Sequence, residues 1–218
     1  MPITEPTSLG VGDTYRLAFV TSTTTDATST DIATYNAFVD ALGDTVIASD
    51  WTAIASTAPV DARINTSTFP GTDPVSGAPI FNLNDTMIAA TYATLWDSGI
   101  DAALDTDELG GTGIVGNVWT GTDGLGRELV FIGARGLGAA SPGYGDSSAT
   151  GIDWVFTSTI GSNADSRRLY GISSLLTIPG PPAAIPEPGT FVVLAIGAAV
   201  VFGRRRRLRR RSQAGQTA

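Results

Sequence analysis

The side chains that could perform chemistry in this 218-residue chain are limited to Asp, Glu, Ser, Thr, Tyr and Arg. Cysteine and histidine are absent, and all 13 basic residues are arginine, so the chain has no lysine either. This inventory excludes a Ser-His-Asp or Cys-His nucleophile, a Schiff-base lysine, a P-loop lysine and a disulfide. It also excludes a zinc site of the usual His/Cys kind. The sequence therefore assigns no catalytic residue.

The densest group of acidic residues comprises Asp101, Asp105, Asp107 and Glu108. Ca²⁺ prefers several carboxylate and carbonyl oxygens on one loop, so Asp105, Asp107 and Glu108 are candidate ligands. The stretch departs from the EF-hand pattern, because Leu109 stands at a ligand position and no Glu follows at the twelfth. A solvated acidic loop is the favoured interpretation. We thus expect no cofactor, with Ca²⁺ as the alternative.

A glycosidase built on carboxylates is the enzymatic alternative. It requires two carboxyl groups about 5–9.5 Å apart across a cleft. Residues 1–185 contain 20 of the 21 acids, so many pairs could meet that distance, and nothing in the sequence selects one. We therefore expect a protein that is not an enzyme.

Charge is distributed unevenly along the chain. Seven of the 13 arginines lie within residues 204–211, which leaves six arginines against 20 acids in residues 1–185, a net charge of −14. Such a body repels phosphate groups, so nucleic-acid binding is not expected. Contacts mediated by cations, or simple colloidal solubility, are the roles that this acidity favours.

The C-terminal part combines three features in a fixed order. The tripeptide Pro186, Glu187 and Pro188 follows a proline-rich spacer, and an apolar run occupies residues 191–203. The basic cluster comes last and consists of Arg204, Arg205, Arg206, Arg207, Arg209, Arg210 and Arg211. Because proline is excluded from helix interiors, these prolines predict a helix that starts near residue 190.

The apolar run predicts one short membrane helix. As a helix it would be about 20 Å long, against a hydrocarbon thickness of about 30 Å, which suits a transient anchor better than a permanent one. The positive-inside rule places the basic cluster in the cytoplasm and residues 1–185 outside. We therefore expect a single-pass protein of the cell envelope.

This segment resembles the PEP-CTERM sorting signal of Gram-negative and related bacteria, over residues 185–211. The resemblance implies that an exosortase, a membrane-embedded cysteine protease, recognises the signal and cleaves near the tripeptide. It also implies a host that makes exopolysaccharide, which is an expected partner. A plain C-terminal anchor is the alternative. Residues 1–13 lack a basic n-region and a 7–15-residue apolar stretch, so we expect the true start to lie upstream.

Residues 14–178 are predicted to form short strands and one clear helix. Local patterns predict strands near 15–20, 80–83, 118–122, 153–157 and 169–178, a short strand or turn at 51–56, and short helices near 60–65 and 89–96. A helix with an apolar stripe is predicted from Ile32 to Leu42, capped by Ser29 or Thr30 and ended by Gly43. Asp123-Gly124 predicts a tight turn. The tryptophans are expected to anchor the core or the loops: Trp51, Trp96, Trp119 and Trp154.

The body resembles the endostatin-like branch of the C-type lectin-like fold. The resemblance rests on YRLAFVTS, STDIATYNAFVDAL, PIFNLNDTMIA, ATLWDSG, VWTGTDGLGREL and LYGISSLLTI, the last predicted to pair beside the first. It implies an α+β fold with long irregular loops. The usual disulfides, calcium and sugar motifs, zinc histidines and basic heparin face are missing, so ligand binding does not carry over. The late loop between Arg127 and Asp153 would instead be held by Trp119, Tyr144 and Trp154.

The predicted organisation has five parts. They are an N-terminal extension (1–13), a lectin-like domain (14–178), a proline-rich linker (179–185), the sorting segment (186–211) and a polar tail (212–218). The predicted function is that of an exported surface or extracellular-matrix protein with a non-enzymatic interaction or structural role. A glycan hydrolase or a Ca²⁺-dependent lectin is the alternative.

Overall fold

The structure is a computed structural model that describes residues 2–70, 77–131, 133, 135–157 and 161–181. One compact unit spans Met1–Pro179 and a second spans Gly180–Ala218. The predicted tripeptide, apolar helix and basic cluster all lie outside the described residues. The description below concerns the first unit.

Helices are few and short in the described part of the chain. They are α1 (Ile32–Gly43), α2 (Ala62–Asn65) and α3 (Tyr92–Leu95), with one 3₁₀ turn at Ile152–Trp154. The strands are β1 (Thr14–Val20), β2 (Trp51–Ala53), β3 (Ile80–Asn82), β4 (Met87–Ala89), β5 (Asn117–Trp119), β6 (Tyr144–Asp146), β7 (Arg168–Ser173) and β8 (Leu176–Thr177).

These strands form one mixed sheet in the order β4-β3-β1-β7-β5-β6, with β2 also paired to β7 and β8 to β1. β1 runs parallel to β3 and antiparallel to β7, where Ala18 lies opposite Ile172. The predicted pairing of the last strand with the first is therefore confirmed. The sheet is mixed with few helices, while the lectin-like assignment stays a prediction.

The central strand β1 is buried on both faces of the sheet. Leu17 and Phe19 belong to one hydrophobic cluster, and Ala18 and Val20 belong to another. Side chains alternate between the two faces of a strand, so a strand covered on both sides must be apolar at nearly every position. Arg16 is the exception, since it lies within this strand and is only 7 % exposed.

The last predicted strand is divided into β7 and β8, and its register against β1 shifts between them. Ala18 pairs with Ile172, whereas Thr14 pairs with Thr177, so one extra residue lies on the later strand. An extra residue disrupts the ladder locally. At this irregularity the backbone N–H of Leu17 donates to the Ser173 hydroxyl at 2.9 Å instead of to a carbonyl.

Helix α1 forms close to its predicted bounds. Its N-cap is Asp31, not Ser29 or Thr30, because the Asp31 side chain accepts a hydrogen bond from the backbone N–H of Ala33 at 3.0 Å. Gly43 is the last helical residue, and a Cβ there would lie 2.4 Å from the Trp51 ring. The absence of a side chain thus lets the helix end pack against β2.

The strand predicted at 153–157 is wrong. Residues Ile152–Trp154 form a 3₁₀ turn, and the Trp154 ring lies 5.8 Å from both the Trp96 and Tyr170 rings. These aromatic contacts place the apolar segment over the sheet instead of inside it. The prediction that the tryptophans anchor the core is confirmed, since each is at most 3 % exposed.

Candidate functional site

The acidic residues singled out in the sequence are used by the fold itself. Asp107 is 7 % exposed, and its Oδ1 accepts hydrogen bonds from the backbone N–H groups of Leu109 at 3.1 Å and Gly111 at 2.6 Å. Glu108 is 3 % exposed and accepts from the backbone N–H of Ser22 at 2.9 Å and from the Ser22 hydroxyl. The expectation of a solvated loop is wrong for these two residues.

The remaining calcium candidate, Asp105, lies partly buried, and its backbone carbonyl accepts from the N–H of Ile114 at 2.9 Å. In the part of the chain that the structure describes, no group of three or more His, Cys, Asp or Glu side chains is arranged to hold a metal ion. The carboxylates of Asp107 and Glu108 satisfy backbone donors, which is one way that a buried charge is stabilised.

A cavity of about 190 Å³ with polar residues in its wall lies beside β1 and is called the Arg16 cavity below. Its wall combines residues from four parts of the chain, because β1, β2, the end of α2 and the end of β7 meet here. The lining residues include Arg16, Asp50, Thr52, Ser67, Ser173 and Ser174.

Three oxygen atoms hold the Arg16 guanidinium in place. Nε donates to the Tyr92 hydroxyl at 2.8 Å, and Nη1 donates to the backbone carbonyls of Thr66 at 2.9 Å and Ser173 at 3.0 Å. The guanidinium carbon also lies 5.2 Å from the centre of the Tyr92 ring. The Ser173 carbonyl is at the register shift between β7 and β8, so Arg16 supplies a donor where the ladder is irregular.

A second hollow of about 360 Å³ is mainly apolar and is called the Phe131 hollow. Phe131 is 51 % exposed, and its ring lies 6.1 Å from that of the buried Phe156. Its wall contains the carboxylate of Asp123, whose Oδ1 accepts from the backbone N–H groups of Leu125 and Arg127, both at 2.9 Å. The predicted turn at Asp123 is thereby confirmed.

Residues 184–207 match the family model of the PEP-CTERM protein-sorting motif. The chain carries a PEP-CTERM sorting signal. The matched stretch contains Pro186, Glu187 and Pro188, the apolar run and the arginines Arg204 to Arg207. It supports an exported protein of the cell envelope that is sorted by way of an exosortase. No curated protein matches the chain.

The PEP-CTERM segment lies outside the described residues, so the structure gives no geometry for the predicted membrane helix or for Arg209, Arg210 and Arg211. Within the ranges that are described, none of the helices has the length and apolar character needed to cross a bilayer.

Sequence reasoning found the PEP-CTERM segment but missed the Arg16 cavity. The available signal was the position of Arg16 within the apolar strand TYRLAFV, where alternation alone would place a charged residue in the core. The hydroxyl groups of Thr52 and Ser67 gave no signal, because Ser and Thr are frequent throughout this chain and their approach depends on the fold.

Proposed function

We propose that this chain is an exported bacterial surface or extracellular-matrix protein whose body is a non-enzymatic interaction module. The observation that carries the proposal is the PEP-CTERM motif at residues 184–207, directly after an acidic body. A membrane-embedded exosortase processes the C-terminal segment, after anchoring by the apolar run and the basic cluster. The body then stays at the surface or enters the matrix, in association with extracellular polysaccharide.

The state of the carboxylates supports a binding role over a hydrolytic one. Among the described residues, the Arg16 cavity and the Phe131 hollow are each lined by one acid, Asp50 and Asp123 respectively. Glycoside hydrolysis normally requires two facing carboxyl groups. The buried Asp107 and Glu108 already accept hydrogen bonds from the backbone, so their carboxylates stabilise the loop.

We further propose that the body is a C-type lectin-like domain of the endostatin-like branch. The pairing of β7 and β8 with β1 supports this, because it brings both ends of the domain into one sheet. The N–H of Ile178 donates to the carbonyl of Asp13 at 2.9 Å, so the two ends are hydrogen-bonded neighbours.

Replacement of Pro186, Glu187 and Pro188 by alanine tests the sorting proposal. In a host with an exosortase, we expect the wild-type mature protein to lack the basic cluster and the variant to keep it, as measured by intact mass spectrometry. A matched variant with Pro179→Ala and Pro181→Ala in the preceding linker should be processed like the wild type. An intact basic cluster on the mature wild-type surface protein would contradict processing.

Incubation of the secreted protein with the host polysaccharide tests the non-enzymatic role. We expect no new reducing ends relative to a buffer control. Release of reducing ends that is lost on Asp50→Asn or Asp123→Asn would instead support the glycan hydrolase.

A further inference from the structure

We propose that the Arg16 cavity binds a single carboxylate group, carried by a small acid such as a uronic acid unit of an extracellular polysaccharide. The choice of a polysaccharide unit rests on the interaction role proposed above. The recognition of a carboxylate rests on the cavity itself.

Arg16 is a buried cation without an anionic partner. It is 7 % exposed, and no acidic side chain among the described residues lies within ion-pair distance of it. By contrast, Arg63 and Arg167 each pair with a nearby aspartate, at 3.5 Å and 3.1 Å. Burial of a charge is costly unless the charge is paired and hydrogen-bonded, so a guanidinium that is hydrogen-bonded but makes no ion pair favours an incoming anion.

One nitrogen atom of the guanidinium is left for a ligand. The three N–H groups of Nε and Nη1 are used by Tyr92, Thr66 and Ser173. Nη2 donates to no acceptor among the described residues, yet it is not one of the side-chain atoms that are both fully buried and unpaired. Nη2 therefore keeps some access to the cavity that Arg16 lines, and it offers two N–H groups there.

The remaining wall supplies further hydrogen-bond donors. Thr52, which is half-buried, and Ser67, which is exposed, line the same cavity, and neither hydroxyl has a hydrogen-bond partner in the described part of the chain. An ionised carboxylate only accepts hydrogen bonds, so a guanidinium nitrogen and two hydroxyls complement it.

The size and net charge of the cavity favour one carboxylate over a larger or more highly charged anion. Its volume of about 190 Å³ lies below the roughly 300–1,000 Å³ of sites for drug-sized ligands. Arg16 provides one positive charge and Asp50, in the same wall, provides one negative charge. Because these two charges largely offset each other, a second negative charge on a ligand such as phosphate would gain no net attraction.

Ser67 allows a test that leaves Arg16 untouched. Its backbone has φ of 54°, a conformation that Asn and Asp tolerate better than most residues. Ser67→Asp places a carboxylate in the Arg16 cavity as a competing internal anion, whereas Ser67→Asn adds nearly the same volume without the charge. The two variants form a matched pair, and thermal unfolding of each shows whether it is folded.

Binding is measured on the full chain in detergent by saturation-transfer difference NMR, with glucuronate, glucose and inorganic phosphate as probes. We expect glucuronate to bind with a dissociation constant on the order of 1 mM, and glucose and phosphate to bind at least about tenfold more weakly. Ser67→Asp should weaken glucuronate binding at least about tenfold, while Ser67→Asn should retain it within about threefold.

Three results would overturn the proposal. They are equal binding of glucose and glucuronate, tighter binding of phosphate than of glucuronate, and equal glucuronate binding by folded Ser67→Asp and Ser67→Asn. Because the sorting segment is not altered in any of these proteins, failure here leaves the processing experiment on Pro186, Glu187 and Pro188 unaffected.

Discussion

Two regions of this domain bury charge without an ion pair, and they do so in different ways. In the acidic loop, Asp107 and Glu108 each accept two hydrogen bonds from N–H or O–H donors. In the Arg16 cavity, one guanidinium donates three hydrogen bonds to oxygen atoms and keeps one nitrogen unused by described residues.

The difference shows that a cluster of charged residues in the sequence does not predict which charged side chains keep unused hydrogen-bonding groups in the folded domain. The four clustered acids attract attention as candidate ligands, yet the two most buried ones are occupied by the backbone. The isolated Arg16 has no charged neighbour in the sequence, yet it retains a donor in a cavity. The hydrogen-bond partners of a charged side chain, and not the number of charges nearby in the sequence, show whether that side chain is already used by the fold or can still contact a ligand.

The largest expected effect comes from removal of the buried cation. Arg16→Met leaves the carbonyls of Thr66 and Ser173 without their donor, so we expect the free energy of unfolding to fall by about 1–3 kcal/mol for each carbonyl. Arg127→Met makes the same change at an exposed turn residue and should alter it by less than about 0.5 kcal/mol. Urea unfolding monitored by tryptophan fluorescence measures the free energy of unfolding of both variants. Equal values would show that the hydrogen bonds of Arg16 do not stabilise the fold.

A smaller effect is expected in the acidic loop. Glu108→Ala leaves the partly buried N–H of Ser22 without its acceptor, which should lower the free energy of unfolding by about 1–3 kcal/mol. Asp101→Ala, at an exposed position of the same loop, serves as the control and should change it by less than about 0.5 kcal/mol. If the two variants were equally stable, the loop would be a solvated one, as the sequence suggested.

Alkaline pH should weaken the domain through its buried tyrosines, which lie outside the two charged regions. Burial raises the pKa of Tyr35 from 10.0 to about 12. Burial also raises the pKa of Tyr170 well above its usual value. A raised folded-state pKa gives stability that is complete below pH 10 and is lost progressively as the pH approaches 12.

The urea midpoint should therefore fall between about pH 9 and about pH 11. Tyr35→Phe cannot ionise at this position, so its midpoint should fall less over the same interval, although it starts lower because the hydrogen bond to Ser29 is gone. If the urea midpoints of the wild type and Tyr35→Phe fell equally with pH, the loss of stability at alkaline pH would come from groups other than Tyr35.

Much of the fold was accessible from local patterns. The strand at 15–20 and the helix from Ile32 follow from periodicity, caps and turn signals, and the structure confirms them. The pairing of the last strand with the first was implied by the lectin-like resemblance, and it is also observed. The segment around Trp154 was misassigned, because its run of β-formers fits a strand equally well and only contacts with Trp96 and Tyr170 decide otherwise.

The sequence by itself determined the chemistry that is excluded and the sorting signal, because both depend on which residues are present and in what order. Only the tertiary structure decided which charged side chains keep hydrogen-bonding groups that a ligand could contact. Arg16 and Ser67 lie far apart in the chain and line one cavity only after the sheet and α2 have formed. Whether a charged group is used by the backbone or left for a ligand depends on neighbours that come from other parts of the chain.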